Sequence, residues 1–199
     1  MRATAALKLA LTLALAFAAG PCLASASGGS LGASLRYCDS PPKFSAAQQD
    51  KLLRVAGVIK AELEASGAGL ALIARSGLKL GIFGMRYSHA GLTLKASPET
   101  RWAVRQLYFA CEDQQPRLFD QGLAAFLLGT DEPALGYISL LLLPPAAAAA
   151  LEPVALDNAR ALALLGGSYS ANAYAFGLRY QNCLKLVDDV TVNFSVTGD

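Results

Sequence analysis

The chain is 199 residues long, 54% hydrophobic and 16% charged, with a formal net charge of +2 at neutral pH. A near-neutral balance without a basic stripe excludes the electrostatic footprint of a nucleic-acid binder. The length fits one domain with a substantial core, and prolines cut the most apolar stretch, ISLLLLPPAAAAALEPVALDNARALALL, into pieces too short for a stable membrane span.

Residues 1–26 have the form of a secretory signal peptide. Arg2 and Lys8 give a basic start, LALTLALAFAA is apolar but shorter than a bilayer span, and Gly20-Pro21 precede the small-x-small site Ala24-Ser25-Ala26. The mature protein is therefore expected to begin near Ser27, in the periplasm and without an anchor, and Cys22 leaves with the signal. Loss of Arg2 and Lys8 brings the 17 basic residues level with the 15 acidic ones. Residues 27–37, SGGSLGASLRY, read as a flexible lead-in, and 38–199 as one domain.

After Pro41-Pro42, Ser45 is a good N-cap with Gln48 three residues on. Leu52, Val55, Ile59 and Leu63 then recur at helical spacing until Gly67, which predicts a helix over 46–65. GLALIARSG predicts a strand over 69–75, with turns at Gly77 and Gly81. MRYSHAGLTLKA and RWAVRQLYFA follow as two strands joined by the turn-like SPET. LFDQGLAAFLLG reads as a short helix, LGYISLLLLP as a buried strand, and residues 145–166 as a helical segment interrupted by Pro153.

The chemistry-bearing residues are few. There is no CxxC pair, no second histidine for a zinc site, no phosphate-binding glycine loop and no G-x-S-x-G elbow, so neither metal nor cofactor is expected. The acid pairs Glu112-Asp113, Asp131-Glu132 and Asp188-Asp189 are adjacent in sequence, as in solvated turns. Three cysteines, Cys38, Cys111 and Cys183, remain after signal cleavage in a compartment where disulfides persist. An odd number leaves one thiol as an inert buried group, an intermolecular bridge or a nucleophile.

Cys183 lies in YQNCLKLVDDV, where Leu184, Leu186, Val187 and Val190 form the apolar stripe of a helix that Asn182 can cap. A thiol at a helix N-terminus is biased toward thiolate, and the N–H groups there can receive an oxyanion. His89, in RYSHAGLTL, is the chain's one histidine. Alone it fits a hydrogen-bonded core residue as well as a general base; within reach of Cys183 it completes a nucleophile–base pair.

SHAGLTL followed by QNCLKLV resembles the permuted branch of the papain-like NlpC superfamily, in which a His-x-Gly-apolar strand precedes an Asn-Cys helix start; the lecithin retinol acyltransferase group shares that pattern. YCDSP, SAAQQDKLLR, RYSHAGL, RLFDQGL and YSANAYAFGLRYQNC also resemble a bacterial family of exported proteins catalogued as domain of unknown function 2145, a likeness that carries no activity. The first resemblance implies a permuted papain-like α+β fold, an antiparallel sheet packed against helices, with Cys183 as nucleophile and His89 as base.

Such enzymes place a third, orienting polar residue on the strand after the histidine strand, where WAVRQLY offers Arg105 and Gln106. Gln106 is preferred, because a neutral amide accepts from the imidazole N–H whereas Arg opposes an imidazolium. Tyr87 and Tyr180 are further candidates for lining the site. The expected activity is hydrolysis of an amide or ester carbonyl in a small-molecule, cell-wall peptide or acyl substrate. The rival expectations are a non-enzymatic binding or scaffold module of the same fold, and Cys183 as a disulfide partner of Cys38 or Cys111. In the enzymatic reading the Cys183 sulfur and a His89 ring nitrogen lie within about 3–5 Å, and the thiol pKa falls below the roughly 8.5 of a free cysteine. Cys38 and Cys111 then pair, closing a loop worth roughly 2–4 kcal/mol.

Overall fold

Ser45 starts the first helix as its sequence predicts. In the computed structural model, which describes residues 44–77, 84, 86–130, 135–170, 173–174, 177 and 179–183, its side chain takes the Gln48 N–H while the Gln48 side chain takes the Ser45 N–H. This reciprocal cap satisfies two donors that the first turn leaves open. Helix α1 spans Ala46–Ala65 and buries Ala56, Ile59 and Leu63. It ends where Gly67 adopts φ 71°, a left-handed conformation that costs glycine little.

The strands are β1 (Leu70–Arg75), β2 (His89–Leu94), β3 (Ala103–Ala110), β4 (Gln115–Gln121) and β5 (Ile138–Leu142). They form one sheet in the order β4-β3-β2-β1-β5, and every neighbouring pair is antiparallel. β1 to β4 are a meander. The chain then passes through the short helix α2 (Leu123–Leu127) and crosses to the far edge as β5, before α3 (Pro145–Leu156) and α4 (Asn158–Ala163).

Side chains alternate along each strand, so the sheet has two differently covered faces. Ala71, Ile73 and Val104 pack with Trp102 against Ile59 and Leu63 of α1 and Phe126 and Leu127 of α2. Leu70, Leu92, Leu94 and Leu107 pack against Leu151 and Ala155 of α3. Among the described residues no helix is long and apolar enough to cross a membrane.

The structure corrects three expectations. Leu118 to Gln121 belong to β4, and the helix begins only at Leu123. The residue signal for β4 was weak because Pro116 interrupts it, and proline is tolerated there because β4 is an edge. β5 is not a buried strand: it is the opposite edge, with Leu141 and Leu142 about half exposed. Pro153 sits inside α3 without ending it. The interruption falls at Asp157, whose carboxylate accepts from the N–H groups of Ala159 and Arg160 and starts α4. The signal and lead-in, Gly81, Cys38, and the residues beyond Cys183 on which a helix was expected lie outside the described residues.

Candidate active site

The site grows from the pairing of β1 with β2. Arg75 stands directly across from His89, so the two side chains project from the same face of the sheet, the one covered by α1 and α2. On β3 the register pairs Leu92 with Arg105 and Thr93 with Val104, which puts Gln106 on the His89 face and Arg105 on the other. Gly91 leaves room for this arrangement. A Cβ there would stand 2.7 Å from the Arg105 carbonyl oxygen and 2.8 Å from Val104. The glycine of the His-x-Gly motif is thus a close-approach residue between β2 and β3.

His89 is 9% exposed. Its Nε2 is hydrogen-bonded to Gln106 Oε1. An amide oxygen only accepts, so Nε2 carries the proton and the basic lone pair is on Nδ1. The ring packs at a tilt on Phe126, with centroids 5.7 Å apart, and meets the edge of Tyr108 at 6.2 Å. The Arg75 guanidinium lies 5.1 Å from the Phe126 ring centre and donates to the Ser76 carbonyl at 3.1 Å. Burial pushes the His89 pKa down to about 4; the Arg75 charge adds to the effect, and the Gln106 hydrogen bond opposes it. His89 is therefore a neutral imidazole at pH 7.

Cys183 stands outside any disulfide and is 4% exposed. Its sulfur donates to the carbonyl of Ser88, the residue before His89, at 3.8 Å. Ser88 is itself fastened to the end of β1 by its N–H on the Arg75 carbonyl, at 3.1 Å. The backbone is non-helical at Asn182 and helical at Cys183. What places this segment is Gln181, which is 6% exposed. Its main chain pairs with the Tyr169 region through Gln181 N–H to Ser168 O at 2.9 Å and Ser170 N–H to Gln181 O at 3.0 Å. Its side chain accepts from the Gly166 N–H and donates to the Leu164 carbonyl.

The structure thus brings His89 and Gln106 into contact and sets Cys183 against the backbone beside His89. Arg105 is elsewhere: it holds Asp120 with two nitrogens, at 2.7 and 2.5 Å, and donates to the Ala155 carbonyl and to Asn158 on the opposite face. Tyr87 is 40% exposed, and Tyr180 lies under Arg179 with the guanidinium 5.0 Å from its ring centre. Sequence reasoning missed Arg75 and Gln181. Alternation with Ala71 and Ile73 was the available signal that Arg75 points inward; nothing local distinguishes Gln181. Among the described residues no group of three His, Cys, Asp or Glu could hold a metal ion.

A family model described as "Uncharacterized protein conserved in bacteria (DUF2145)" matches residues 62–195, a span that contains His89, Gln106 and Cys183. No curated protein and no solved structure matches the chain.

Proposed function

We propose that this chain, which belongs to the bacterial family just described, is a periplasmic cysteine hydrolase of the permuted papain-like type, with Cys183 as nucleophile, His89 as base and Gln106 as the residue that orients the imidazole. The observation that carries the reading is the Cys183 thiol, outside any disulfide, against the Ser88 carbonyl, next to a histidine whose Nε2–H is already held by Gln106. The antiparallel sheet, with the histidine at the start of an inner strand, supports the fold assignment. Export rests on the basic start, apolar run and cleavage site of residues 1–26.

In this reading the resting pair is thiol and neutral imidazole, because burial and Arg75 both disfavour an imidazolium. As the sulfur attacks the substrate carbonyl carbon, its proton passes to His89 Nδ1. Collapse of the tetrahedral intermediate breaks the C–N or C–O bond, and the leaving amine or alcohol takes the proton from Nδ1. A water that gives its proton to the same nitrogen then cleaves the thioester, releasing the acid and restoring the thiol. The substrate is an amide or ester, in a cell-wall peptide or an acylated small molecule. Pairing of Cys38 with Cys111 belongs to the same proposal, because it leaves the Cys183 thiol for the attack, and it draws on Cys183 standing outside any disulfide.

Alkylation of the purified exported protein by iodoacetamide tests the nucleophile without a substrate. Cys183 is expected to be modified at pH 7, with the site located by peptide mass, and His89→Ala to slow modification by about tenfold or more. Gln106→Ala has a smaller effect, through lost orientation of the ring. A His89→Ala protein alkylated at the wild-type rate over the whole pH range removes the hydrolase reading. A second reading, a binding or scaffold module of the same fold, draws on the closure of the site, since His89 and Cys183 are both nearly inaccessible. It takes over in that case.

A further inference from the structure

The two edges of the sheet are unlike. β4 carries Pro116, Arg117 and Asp120, and a proline and charged side chains are devices that keep an edge from pairing with another strand. β5 carries neither. Its residues are Ile138, Ser139, Leu140, Leu141 and Leu142, its register with β1 runs without a bulge, and no strand lies along its outer side among the described residues. That register sets Leu142 across from Ala71 and Leu141 across from Leu72, so the two leucines project from opposite faces of the sheet. They are 50% and 55% exposed, whereas Ile138 and Leu140 pack against the core under α1. The edge thus combines an open row of backbone donors and acceptors with a half-exposed leucine on either face.

We propose that β5 is the interface of a homodimer, in which it pairs antiparallel with β5 of a second copy and joins two five-stranded sheets into one of ten strands. The chemistry of the edge argues for a second copy as its occupant. About a two-fold axis perpendicular to the sheet, a strand lies antiparallel to its own copy, so each residue near the axis meets itself or a near neighbour. A charge on such an edge would oppose a like charge; β5 has none, and leucine meets leucine. The near-neutral balance of the chain adds no long-range repulsion. A five-residue edge is about 17 Å long, which places the contact at the small end of specific interfaces, about 1,200 Å² in total or less. The dimer is therefore reversible, with dissociation in the micromolar range. Because the axis preserves the faces of the sheet, α1, α2 and His89 of both copies lie on one side. The interface asks nothing of Cys183 or His89 and stands apart from the hydrolase reading.

Sedimentation velocity of the purified exported protein, across about 1–300 μM, reads the association. Wild type is expected to pass from monomer to dimer within that range. Leu141→Lys and Leu141→Glu, at a half-exposed edge position, set like charges against each other, and each is expected to weaken association by about tenfold or more. An equimolar mixture of the two restores the dimer, because the facing charges are then opposite; a variant that had merely unfolded could not do this. Phe119→Lys, at an exposed position on the β4 edge, leaves association unchanged. A wild type that stays monomeric throughout overturns the proposal, whether its β5 edge is bare or covered by another part of the chain. So does a dimer that Leu141→Lys leaves intact, one that Phe119→Lys disrupts, or a mixture of the two Leu141 variants that stays monomeric.

Discussion

Among the described residues each face of the sheet buries one arginine, and the two are put to different uses. Arg105, toward α3 and α4, has its charge matched by Asp120 at 2.5 Å and its remaining donors on Ala155 and Asn158, so it links β3, β4 and the α3–α4 junction. Arg75, toward α1 and α2, sits across from a histidine and presses its charge on it. A buried charge held by a carboxylate from a neighbouring strand is a structural clasp, whereas one that faces a titratable ring shifts that ring's protonation, whatever else it touches.

Removing the match is expected to have the largest effect. Asp120→Ala leaves Arg105 charged and buried without its carboxylate, which costs about 3–5 kcal/mol. Denaturant unfolding measures it, and a loss below about 1 kcal/mol would show that the Arg105 cluster is not the clasp described. Arg105→Met should cost less than Asp120→Ala, since it removes the charge together with its desolvation.

On the other face the expected signature is a pH dependence. The native state keeps His89 neutral down to about pH 4, while the unfolded chain protonates it near 6.5. Between those values the unfolded state binds more protons, so stability falls as the pH is lowered through that window and is fully present above it. The difference between the two pKa values corresponds to about 3 kcal/mol. His89→Gln removes this contribution but not that of the carboxylates. The comparison is therefore the difference between wild type and variant at pH 7 and at pH 4.5, and equal pH dependence in the two would refute the assignment.

Two smaller changes sharpen the contrast. Gly91→Ala forces a methyl group toward the Arg105 carbonyl and Val104 and is expected to cost about 1–3 kcal/mol in thermal or denaturant unfolding. Gln106→Leu removes the acceptor for the His89 N–H at a cost of about 1–3 kcal/mol. It also lowers the pH at which the proton NMR signal of the histidine titrates, because that hydrogen bond favours the charged ring. Titration at an unchanged or higher pH would mean that Gln106 does not hold the imidazole. At the bottom of the scale, Arg54→Ala breaks an exposed pair with Asp50 one turn earlier and should leave the midpoint of unfolding unchanged.

Local chemistry was enough to read much of this molecule from its residues. Ser45 and Gln48 mark the start of α1 and Gly67 its end, because a cap and a left-handed glycine act over three or four residues. The alternation of ALIAR, HAGLTL and AVRQLYFA marks three strands for the same reason, and the preference for Gln106 over Arg105 followed from what an imidazole N–H can donate to. Strand order was decided elsewhere. ISLLLL is as apolar as a central strand and β4 is interrupted by a proline, yet both are edges. That outcome depends on which pairings close the sheet, a long-range choice that no short window carries. Only the register between β2 and β3 could put Gln106 rather than Arg105 beside His89, and only the pairing of β1 with β2 could set Arg75 across from it. The sequence by itself named the histidine, the cysteine and the amide as candidates. The charge that tunes the histidine, and the clamp at Gln181 that brings Cys183 to Ser88, exist only once segments distant in sequence are packed, because field and contact depend on distance in space.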